Sequence, residues 1–351
     1  MASDKSFTDA PPFPDDVPVI PMNTISLAAL HSGDEATAKD VLTACRELGF
    51  FLLDLRGDAL GETTMGEIDQ LFHVGKDILN LPEDAKQRYL YDIPKSFLGF
   101  KPCGQARIET NEPDRFEWFN LGQDSILGTE TTQPIPPMVQ DHLPLFASFL
   151  EHGQSILTAV NTTLATQLSL PPDAFTRLQV PTRPSGTVIR IIKAFAAERD
   201  EDVRTSMIHH TDFGTITLLA NVIGGLQVLS PGKSPIDQEA WGWVRPQPGC
   251  LIVNLGDAMV QWTGGMLRSN VHRVNCAPGQ QRFVDRYSLA ILARPERKAS
   301  MRKLIDGMGN DGYGEDDDLT AWEWEVKKAM ALKRGDAVAK STGGEPRPLP
   351  A

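Results

Sequence analysis

The sequence predicts a mixed α/β fold dominated by β-structure, and two observations carry that prediction. Between residues 136 and 170, apolar side chains recur at the spacing of one face of an α-helix. After residue 184, short runs rich in β-branched residues alternate with Gly, Pro and Asn, which are turn signals. Many short strands at such close spacing indicate a β-barrel or a β-sandwich. We therefore expect a β-rich core preceded by helices.

Local patterns define the elements before and after this core. A helical pattern from Glu35 to Glu47 runs into the apolar stretch LGFFLLDL, which is typical of a buried strand, so the chain opens with an α/β region. A single long helix is expected over residues 136–170, with Gly153 as the candidate break. These patterns divide the chain into a flexible arm (1–16), an N-terminal α/β region (17–130), a long packing helix with its connection (131–184), the β-rich core (185–298), a C-terminal lid helix (299–335) and a disordered tail (336–351).

Composition and charge limit the classes of partner. The chain has 351 residues and a net charge of −12, which argues against a nucleic-acid partner because phosphate binding depends on clustered Lys and Arg. No apolar run approaches the roughly 20 residues that a membrane span requires, and the N-terminus lacks the pattern of a secretion signal. The four cysteines form no C-x-x-C pair, so free thiols are expected. We expect a cytoplasmic protein that binds a small molecule; the sequence leaves its oligomeric state open.

The segment HHTDFGTITLL, which begins at His209, places two histidines and an aspartate at the head of an apolar run. Alternate residues of a strand face the same side, so His210 and Asp212 project together while His209 faces away. Taken alone, His210 and Asp212 fit a polar pair at a strand end as well as they fit a metal site. His272, in SNVHRV, supplies a third ligand. Two His and one carboxylate with open positions is the facial arrangement of non-haem Fe(II) oxygenases.

A second pair of polar residues follows on a later predicted strand. Arg286 and Ser288 lie on the same strand face, 14 and 16 residues beyond His272. A guanidinium presents a planar fork to a carboxylate, and a hydroxyl adds one more donor. The pair predicts a clamp for the distal carboxylate of a keto acid whose other end chelates the iron.

The order His210-x-Asp212, then His272 within HRV, then Arg286-x-Ser288 resembles the isopenicillin N synthase-like family of Fe(II)/2-oxoglutarate-dependent dioxygenases. The resemblance covers about residues 17–295. It is supported by the segments IPM, CRELGFFLLD, LPEDAK followed by FLGF, GGLQVL, PGCLIVNLGD and RSNVHRVN. It implies a double-stranded β-helix (jelly-roll) core with an N-terminal α/β region and flanking helices.

The resemblance also implies the chemistry. The enzyme would bind Fe(II), use 2-oxoglutarate and dioxygen as cosubstrates, release succinate and carbon dioxide, and oxidise a C–H bond of its substrate. The sequence is similar to fungal tailoring members of the family, which act on secondary metabolites such as aromatic polyketides. Hydroxylation and ring expansion of tropolone type are the candidate reactions.

The strand TVIRIIKAF departs from the family pattern. Many members place an Asn and a Tyr there that help to hold the keto acid, whereas Ile192 and Ala194 occupy those positions here. Arg190 lies on the same strand face, so its side chain points either toward an acidic or phenolic substrate or toward a structural ion pair or hydrogen bond with the N-terminal region. Trp118 and Phe119 are candidates for the wall of the substrate pocket, with core packing as the alternative.

Other residues receive structural interpretations. His209 is expected to be structural, Asp257 to cap a turn, and the acidic run 315–318 to form a solvated loop. Trp322 and Trp324 on the last helix are compatible either with a lid or with a helix that is pinned to the body.

Three rival functions differ from the dioxygenase in one feature each. An Fe(II) oxidase of the same family would act without a keto acid, which the Arg286 and Ser288 pair disfavours. A zinc hydrolase would need a general base beside the metal and would have no use for a keto-acid clamp. A non-catalytic binding module would bind iron and release no succinate.

Overall fold

Two β-sheets lie face to face and form a jelly roll in the computed structural model of the chain. The structure describes residues 7, 9–92, 96–130, 133–305, 315–334 and 340–344. The strands are β1 (Thr24–Ser26), β2 (Phe50–Asp54), β3 (Gly99–Lys101), β4 (Phe116–Gly122), β5 (Val188–Ala194), β6 (Thr205–His210), β7 (Ile216–Asn221), β8 (Leu226–Leu229), β9 (Trp241–Trp243), β10 (Cys250–Leu255), β11 (Arg268–Ser269), β12 (His272–Asn275), β13 (Arg286–Leu292) and β14 (Thr342–Gly343). The α-helices are α1 (Leu27–His31), α2 (Glu35–Glu47), α3 (Ala59–Leu79), α4 (Glu83–Lys86), α5 (Gln123–Ile126), α6 (Pro137–Asp141), α7 (Leu143–Gln167), α8 (Asp257–Trp262) and α9 (Ala321–Arg334).

The strand order shows the winding of the jelly roll. The major sheet has the order β1-β2-β10-β7-β13-β5-β4-β3, and the minor sheet has the order β6-β12-β8-β9. From β5 to β13 the chain passes repeatedly between the two sheets, and the neighbouring core strands are antiparallel. The predicted fold class, mixed α/β dominated by β with a jelly-roll core, is confirmed.

Alternation along the strands separates an inner face from an outer face. On β13, Leu289 and Ile291 pack in the main hydrophobic core on the side of the helices, whereas Ser288 and Ala290 face the space between the sheets. Helix α3 contacts β13, and α7 packs on α3. Because helices cover the outer face, polar side chains on the inner face are the ones that can line a site.

The long helix breaks at a different residue from the one expected. Helix α6 ends at Asp141, His142 leaves the helical conformation with φ −107° and ψ 8°, and α7 continues from Leu143 to Gln167. Pro144 explains this position, because proline has no backbone N–H to donate and is tolerated only in the first turn of a helix. Gly153 lies inside α7, where the absence of a Cβ allows Ile291 to pack against the helix backbone.

The described parts of the two terminal segments make defined contacts, in contrast to the flexible arm and the disordered tail that the sequence predicts. Near the N-terminus, Arg245 Nη1 lies 2.8 Å from Asp15 Oδ1. Near the C-terminus, β14 pairs antiparallel with β11, with Thr342 opposite Ser269. Tertiary hydrogen bonds order these polar segments, and composition cannot reveal such partners. Residues 1–6, 8, 335–339 and 345–351 lie outside the described part of the chain.

Helix α9 is held against the body by buried contacts. Trp324 is 2% exposed, belongs to the main core, and donates its indole N–H to Asp316 over 2.9 Å. Arg294 and Glu325 form a buried ion pair at 2.8 Å. Trp324 therefore supports the interpretation in which the last helix is pinned to the body of the protein. A role of α9 as a lid stays a prediction.

The acidic run 315–318 forms an ion pair and hydrogen bonds with other parts of the structure, whereas its charge alone predicts a solvated loop. Asp316 Oδ1 also pairs with Lys327 at 2.6 Å, and Asp317 Oδ1 accepts a hydrogen bond from Gln261 over 3.1 Å.

Among the described helices, none combines the length and the apolar character needed to cross a membrane.

Candidate active site

Three of the predicted site residues come together between the sheets. His210, at the end of β6, lies directly opposite His272, at the start of β12, and the centroids of their rings are 4.4 Å apart. Asp212 follows β6 by two residues. One ligand atom from each of the three side chains lies within 4.8 Å of the others. The distant histidine and the HxD pair are therefore close enough to bind one metal ion.

Backbone carbonyls orient both imidazoles. His210 Nδ1 lies 2.9 Å from the carbonyl oxygen of Ile208, and His272 Nδ1 lies 3.2 Å from that of Asn270. A carbonyl oxygen only accepts, so each Nδ1 carries the proton and donates it. Each Nε2 therefore keeps its lone pair for a metal, which is the tautomer that metal-binding histidines require.

Two neutral donors orient the carboxylate of Asp212. Thr217 Oγ1 and Asn254 Nδ2 donate to Asp212 Oδ2 over 2.7 and 2.8 Å. The other oxygen, Oδ1, lies 4.0 Å from His210 Nε2 on the side of the three ligand atoms. One oxygen is therefore held by the protein, and the other is available to a metal.

The protonation states match a metal site. Burial, followed by the neighbouring His272, lowers the pKa of His210 to about 4. Burial alone would raise the pKa of Asp212, but the two imidazoles and the hydrogen bonds from Asn254 and Thr217 outweigh it and lower that pKa to about 2. At neutral pH the site therefore presents a neutral His210 and an ionised Asp212. This donor set fits Fe(II) with open coordination positions.

The structure places Arg286 and Ser288 farther along the inner face of β13. Arg286 is 3% exposed, and its Nη1 donates to Ser288 Oγ over 3.1 Å. Burial lowers the pKa of Arg286 to about 10, so the guanidinium stays charged at neutral pH. Its buried Nε has no hydrogen-bond partner among the described residues. A buried cation with an unused donor fits the carboxylate of a keto acid.

The wall beside this pair is apolar, as the departure from the family pattern suggests. Ile192 lies opposite Ser288, and Ala194 lies opposite Arg286, on the neighbouring strand β5. Both residues belong to a small cluster on the inner face that also contains Met207. Hydrogen bonds to a keto acid on this side cannot come from Ile192 or Ala194.

Arg190 and Trp118 form a second polar and aromatic group on the inner face. The guanidinium carbon of Arg190 lies 4.0 Å from the centroid of the Trp118 ring, and its Nε donates to Asn120 Oδ1 over 2.8 Å. Burial and the nearby Arg294 lower the pKa of Arg190 to about 10, against an opposing effect of Asp212. Asn120 belongs to the N-terminal region, so this bond is the structural hydrogen bond considered for Arg190, and contact with substrate stays a prediction.

Phe119 lies on the other face of β4 and does not reach the inner space. It is 1% exposed, belongs to the main core and lies 6.1 Å from the ring of Tyr89. Because side chains alternate along a strand, Trp118 and Phe119 cannot both line the pocket. Of the two interpretations of Phe119, its contacts support core packing and not the wall of the substrate pocket.

His209 and Asp257 support the metal segment from outside. His209 faces away from the three ligands and lies 3.2 Å from Glu109 Oε1, as expected for a structural residue. Asp257 does not cap a turn, because it is the first residue of α8 and Gly256 is the N-cap. Its Oδ2 accepts hydrogen bonds from Thr211 Oγ1 and Lys328 Nζ over 3.2 and 2.8 Å.

Sequence reasoning missed the polar residues that support the site: Thr217, Asn254 and Asn120. A signal exists in each case, because each is a polar residue within a largely apolar strand. Such a residue on an inner face requires a hydrogen-bond partner. Which partner it finds depends on the pairing of the sheets, and the sequence does not give that pairing.

Comparison with known proteins agrees with this geometry. The model of the 2OG-Fe(II) oxygenase superfamily matches residues 186–295, and that of the N-terminal region of non-haem dioxygenases in morphine synthesis matches residues 17–139. The 2-oxoglutarate-dependent dioxygenase frbH of a Dothideomycetidae species is 31% identical over 285 residues, which cover 80% of this chain and 84% of that protein. The chain belongs to the 2OG-Fe(II) oxygenase superfamily.

Other members of the superfamily extend the comparison. A 2-oxoglutarate-dependent dioxygenase of Aspergillus fumigatus is 29% identical over 316 residues, which cover 84% of this chain and 80% of that protein. The crystal structure of a full-length Neurospora crassa protein in complex with alpha-KG shares the fold, with a TM-score of 0.73 and 22% identity over 91% of this chain and 98% of that one. The expected enzyme class, a non-haem dioxygenase that uses Fe(II) and 2-oxoglutarate, is confirmed.

Proposed function

We propose that this dioxygenase oxidises a C–H bond of a small aromatic secondary metabolite that carries an acidic phenol or enol. In this proposal His210, Asp212 and His272 bind the iron, Arg286 and Ser288 bind 2-oxoglutarate, and Arg190 with Trp118 binds the substrate. Aromatic polyketides are the substrate class that combines a ring with such acidic groups. The observation that carries the proposal is the position of Arg190 over Trp118 on the inner face.

The residues around the iron position determine how it is held. Bound iron, with 2-oxoglutarate and dioxygen, supplies the oxidising power that breaks a C–H bond. The carbonyls of Ile208 and Asn270 keep both imidazoles turned toward the centre, and Thr217 and Asn254 hold one carboxylate oxygen. Such supporting bonds fix the ligands before the metal arrives, which lowers the cost of binding it.

The proposed clamp for 2-oxoglutarate would form a buried ion pair when the cosubstrate binds. Arg286 lies on the inner face of β13, and its Nε has no hydrogen-bond partner among the described residues. Ser288 lies beside it, so the two side chains together offer donors to one carboxylate. Arg286 carries no acidic partner among the described residues. The incoming carboxylate would neutralise the buried cation, which makes the pairing favourable in a low-dielectric environment.

Substrate recognition rests on the arrangement of Arg190. Only its Nε has a hydrogen-bond partner among the described residues, so both Nη nitrogens are available to an anionic oxygen. Trp118 covers one face of the guanidinium and offers an aromatic surface beside it. A phenolate or enolate on an aromatic ring matches this combination of a cation and a flat apolar surface.

The test is turnover with paired substrates. The purified enzyme with Fe(II) and 2-oxoglutarate would be given aryl-methyl phenols and their O-methylated analogues, and succinate and the mass of the product would be measured. We expect the free phenols to be preferred, with hydroxylated products that gain one oxygen. Ring expansion of tropolone type requires a hydroxylated, dearomatised ring that bears the methyl group, and on such a substrate the product has lost two hydrogens, which leave as water. Carbon-13 NMR of the product distinguishes these two outcomes.

Variants of Arg190 connect this preference to the residue. Arg190→Met should abolish the preference for the free phenol, and Arg190→Lys, which keeps the charge, should retain part of it. Binding of 2-oxoglutarate should be unchanged in both variants. An undiminished preference in Arg190→Met would exclude the proposed substrate contact.

A further inference from the structure

We infer that the N-terminal arm, residues 9–16, is a positioning segment for 2-oxoglutarate binding, because it packs behind the loop that supports Arg286. The inference rests on the role proposed above for Arg286. It assigns a function to a segment that lies before the region matched by the superfamily models, which begins at residue 17.

The arm contacts the loop between β7 and β8 through Phe13. A Cβ built on Gly224 would lie 2.6 Å from the Phe13 ring, so the ring is seated directly on the Gly224 backbone. Pro14 lies in the same way against Gly279, at 3.2 Å from a Cβ built there. The two glycines allow the arm to approach the barrel more closely than any other residue type would.

A buried glutamine joins the arm to this loop by hydrogen bonds. Gln281 is 3% exposed, and its Nε2 donates to the carbonyl oxygen of Pro11 over 2.7 Å. Its Oε1 accepts a hydrogen bond from the Gly224 N–H, also over 2.7 Å. Because both ends of one amide are used, a displacement of the arm would disturb the Gly224 backbone as well.

The next residue of the loop contacts Arg286. Gly225 has φ +121°, which L side chains rarely adopt, and a Cβ there would lie 3.2 Å from Arg286 Cδ and 3.4 Å from its Nε. The Gly225 carbonyl accepts a hydrogen bond from Asn275 N over 2.8 Å. The chain of contacts therefore runs from Phe13 and Gln281 through Gly224 and Gly225 to Arg286.

Arg286 has few hydrogen bonds of its own. Only its bond to Ser288 is present among the described residues, and its Nε has no partner, so packing against Gly225 and the neighbouring strands fixes the guanidinium. Arg286 is 3% exposed in the structure that includes the arm, so water has little access to the cation. Exclusion of water strengthens the pairing of a guanidinium with a carboxylate.

Arg245 fastens the arm from outside the barrel. Its Nη1 donates to Asp15 Oδ1 over 2.8 Å, its Nη2 donates to the Pro14 carbonyl over 3.2 Å, and its guanidinium carbon lies 5.0 Å from the centroid of Phe13. Among the described residues, the hydrogen bonds of Arg245 go to Asp15 and Pro14 and not to the Gly224 backbone. Arg245 therefore offers a second way to loosen the arm without changing the loop itself.

The test is calorimetric titration of 2-oxoglutarate into the full chain loaded with Mn(II), without oxygen, so that binding is measured separately from turnover. Phe13→Ala and Arg245→Gln should each weaken 2-oxoglutarate binding about fivefold or more and leave Mn(II) affinity unchanged. Pro12→Ala, which changes an exposed arm residue, should bind within twofold of the unmodified protein. Hydrogen exchange of the Gly225 region should accelerate in the first two variants only.

Arg286→Ala serves as the reference for the clamp itself. If it weakens binding while Phe13→Ala and Arg245→Gln, folded by circular dichroism, bind within twofold of the unmodified chain, the role of the arm is overturned and the role of Arg286 stands. If Arg286→Ala binds 2-oxoglutarate as tightly as the unmodified chain, the proposed clamp fails and the role of the arm fails with it.

Discussion

Asn254 Nδ2 donates to Asp212 Oδ2 over 2.8 Å, so a residue of β10 orients the carboxylate that follows β6. Thr217 Oγ1 donates to the same oxygen over 2.7 Å from β7. The two strands are neighbours in the major sheet, and Asn254 is paired in register with Thr217. The orientation of this candidate iron ligand is therefore built into the pairing of two core strands.

Removal of the Thr217 hydroxyl should weaken metal binding. Thr217→Val keeps the shape of the side chain but loses the donor, so we expect metal affinity to fall about tenfold, at the low end of the effect of such supporting bonds. Co(II) titration followed by its visible absorption would measure this loss. Thr217→Ser, which keeps the hydroxyl, is the matched control and should bind within about twofold of the unmodified chain. Equal affinity in both variants would show that the bond does not orient the carboxylate.

Arg286→Ala should raise the 2-oxoglutarate requirement sharply and leave iron content near normal. Truncation of one partner in a buried, hydrogen-bonded charge pair costs roughly 2–5 kcal/mol, so affinity should fall about 100-fold. Anaerobic titration of the Fe(II) protein, followed by the visible charge-transfer band of the chelate, measures this. Arg286→Lys should give an intermediate value because it keeps the charge and loses the planar fork. Unchanged affinity in Arg286→Ala would remove the clamp.

Gly153→Ala should destabilise the protein, because the new methyl group would overlap Ile291 Cδ1. Overpacking of this kind typically costs about 1–3 kcal/mol. Thermal or urea unfolding would measure the change. Gly66→Ala, in α3 with open space around the position, should instead stabilise by about 0.5–1 kcal/mol.

A second substitution tests whether the overlap with Ile291 Cδ1 causes the loss of stability. Ile291→Val removes the Cδ1 atom, so Gly153→Ala should cost less in that background than in the unmodified chain. The same cost in both backgrounds would mean that the overlap with Ile291 is not the cause.

Asp69→Asn should stabilise the protein more at neutral pH than at acid pH. Burial raises the pKa of Asp69 despite an opposing effect of His73, and one carboxylate oxygen is buried without a partner. A raised pKa means that the folded state disfavours the ionised form, so the penalty to stability is absent below the unfolded pKa, grows between the two pKa values and is complete above the folded one. Unfolding in urea at pH 4 and pH 7.5 would measure it. Asp77→Asn, on the exposed side of the same helix, should show no such gain.

The residues of the metal site could be predicted from sequence because their spacing and chemistry are local properties. The period of two in a strand predicts that His210 and Asp212 project together, although β6 ends at His210 and Asp212 lies two residues beyond it. His272 is the histidine of the predicted β-rich core that completes the set. The same period explains why Trp118 and Phe119 could not both be correct. Choosing between them requires knowledge of which face of β4 lies inside, and only the pairing with β5 provides it.

The break of the long helix shows a different limit. Glycine and proline both interrupt helices, and from the sequence we expect the break at Gly153, whereas the helix breaks at His142, two residues before Pro144. Pro144 sets the position of the break, because the backbone N–H that proline lacks is dispensable only in the first turn of a helix. Gly153 is retained inside α7 because Ile291 packs against it, and that contact is visible only in three dimensions.

By itself, the sequence determined the fold class, the metal-binding residue types and the candidate clamp, because periodicity and ligand chemistry follow directly from the order of the residues. The tertiary structure alone decided which polar residues support them. Asn254 meets Asp212, and Gln281 joins the arm to Gly224, across 42 and 57 positions of sequence. Hydrogen bonds between such distant residues depend on sheet register and on how the connecting loops pack, and both are set by the packing of the whole core.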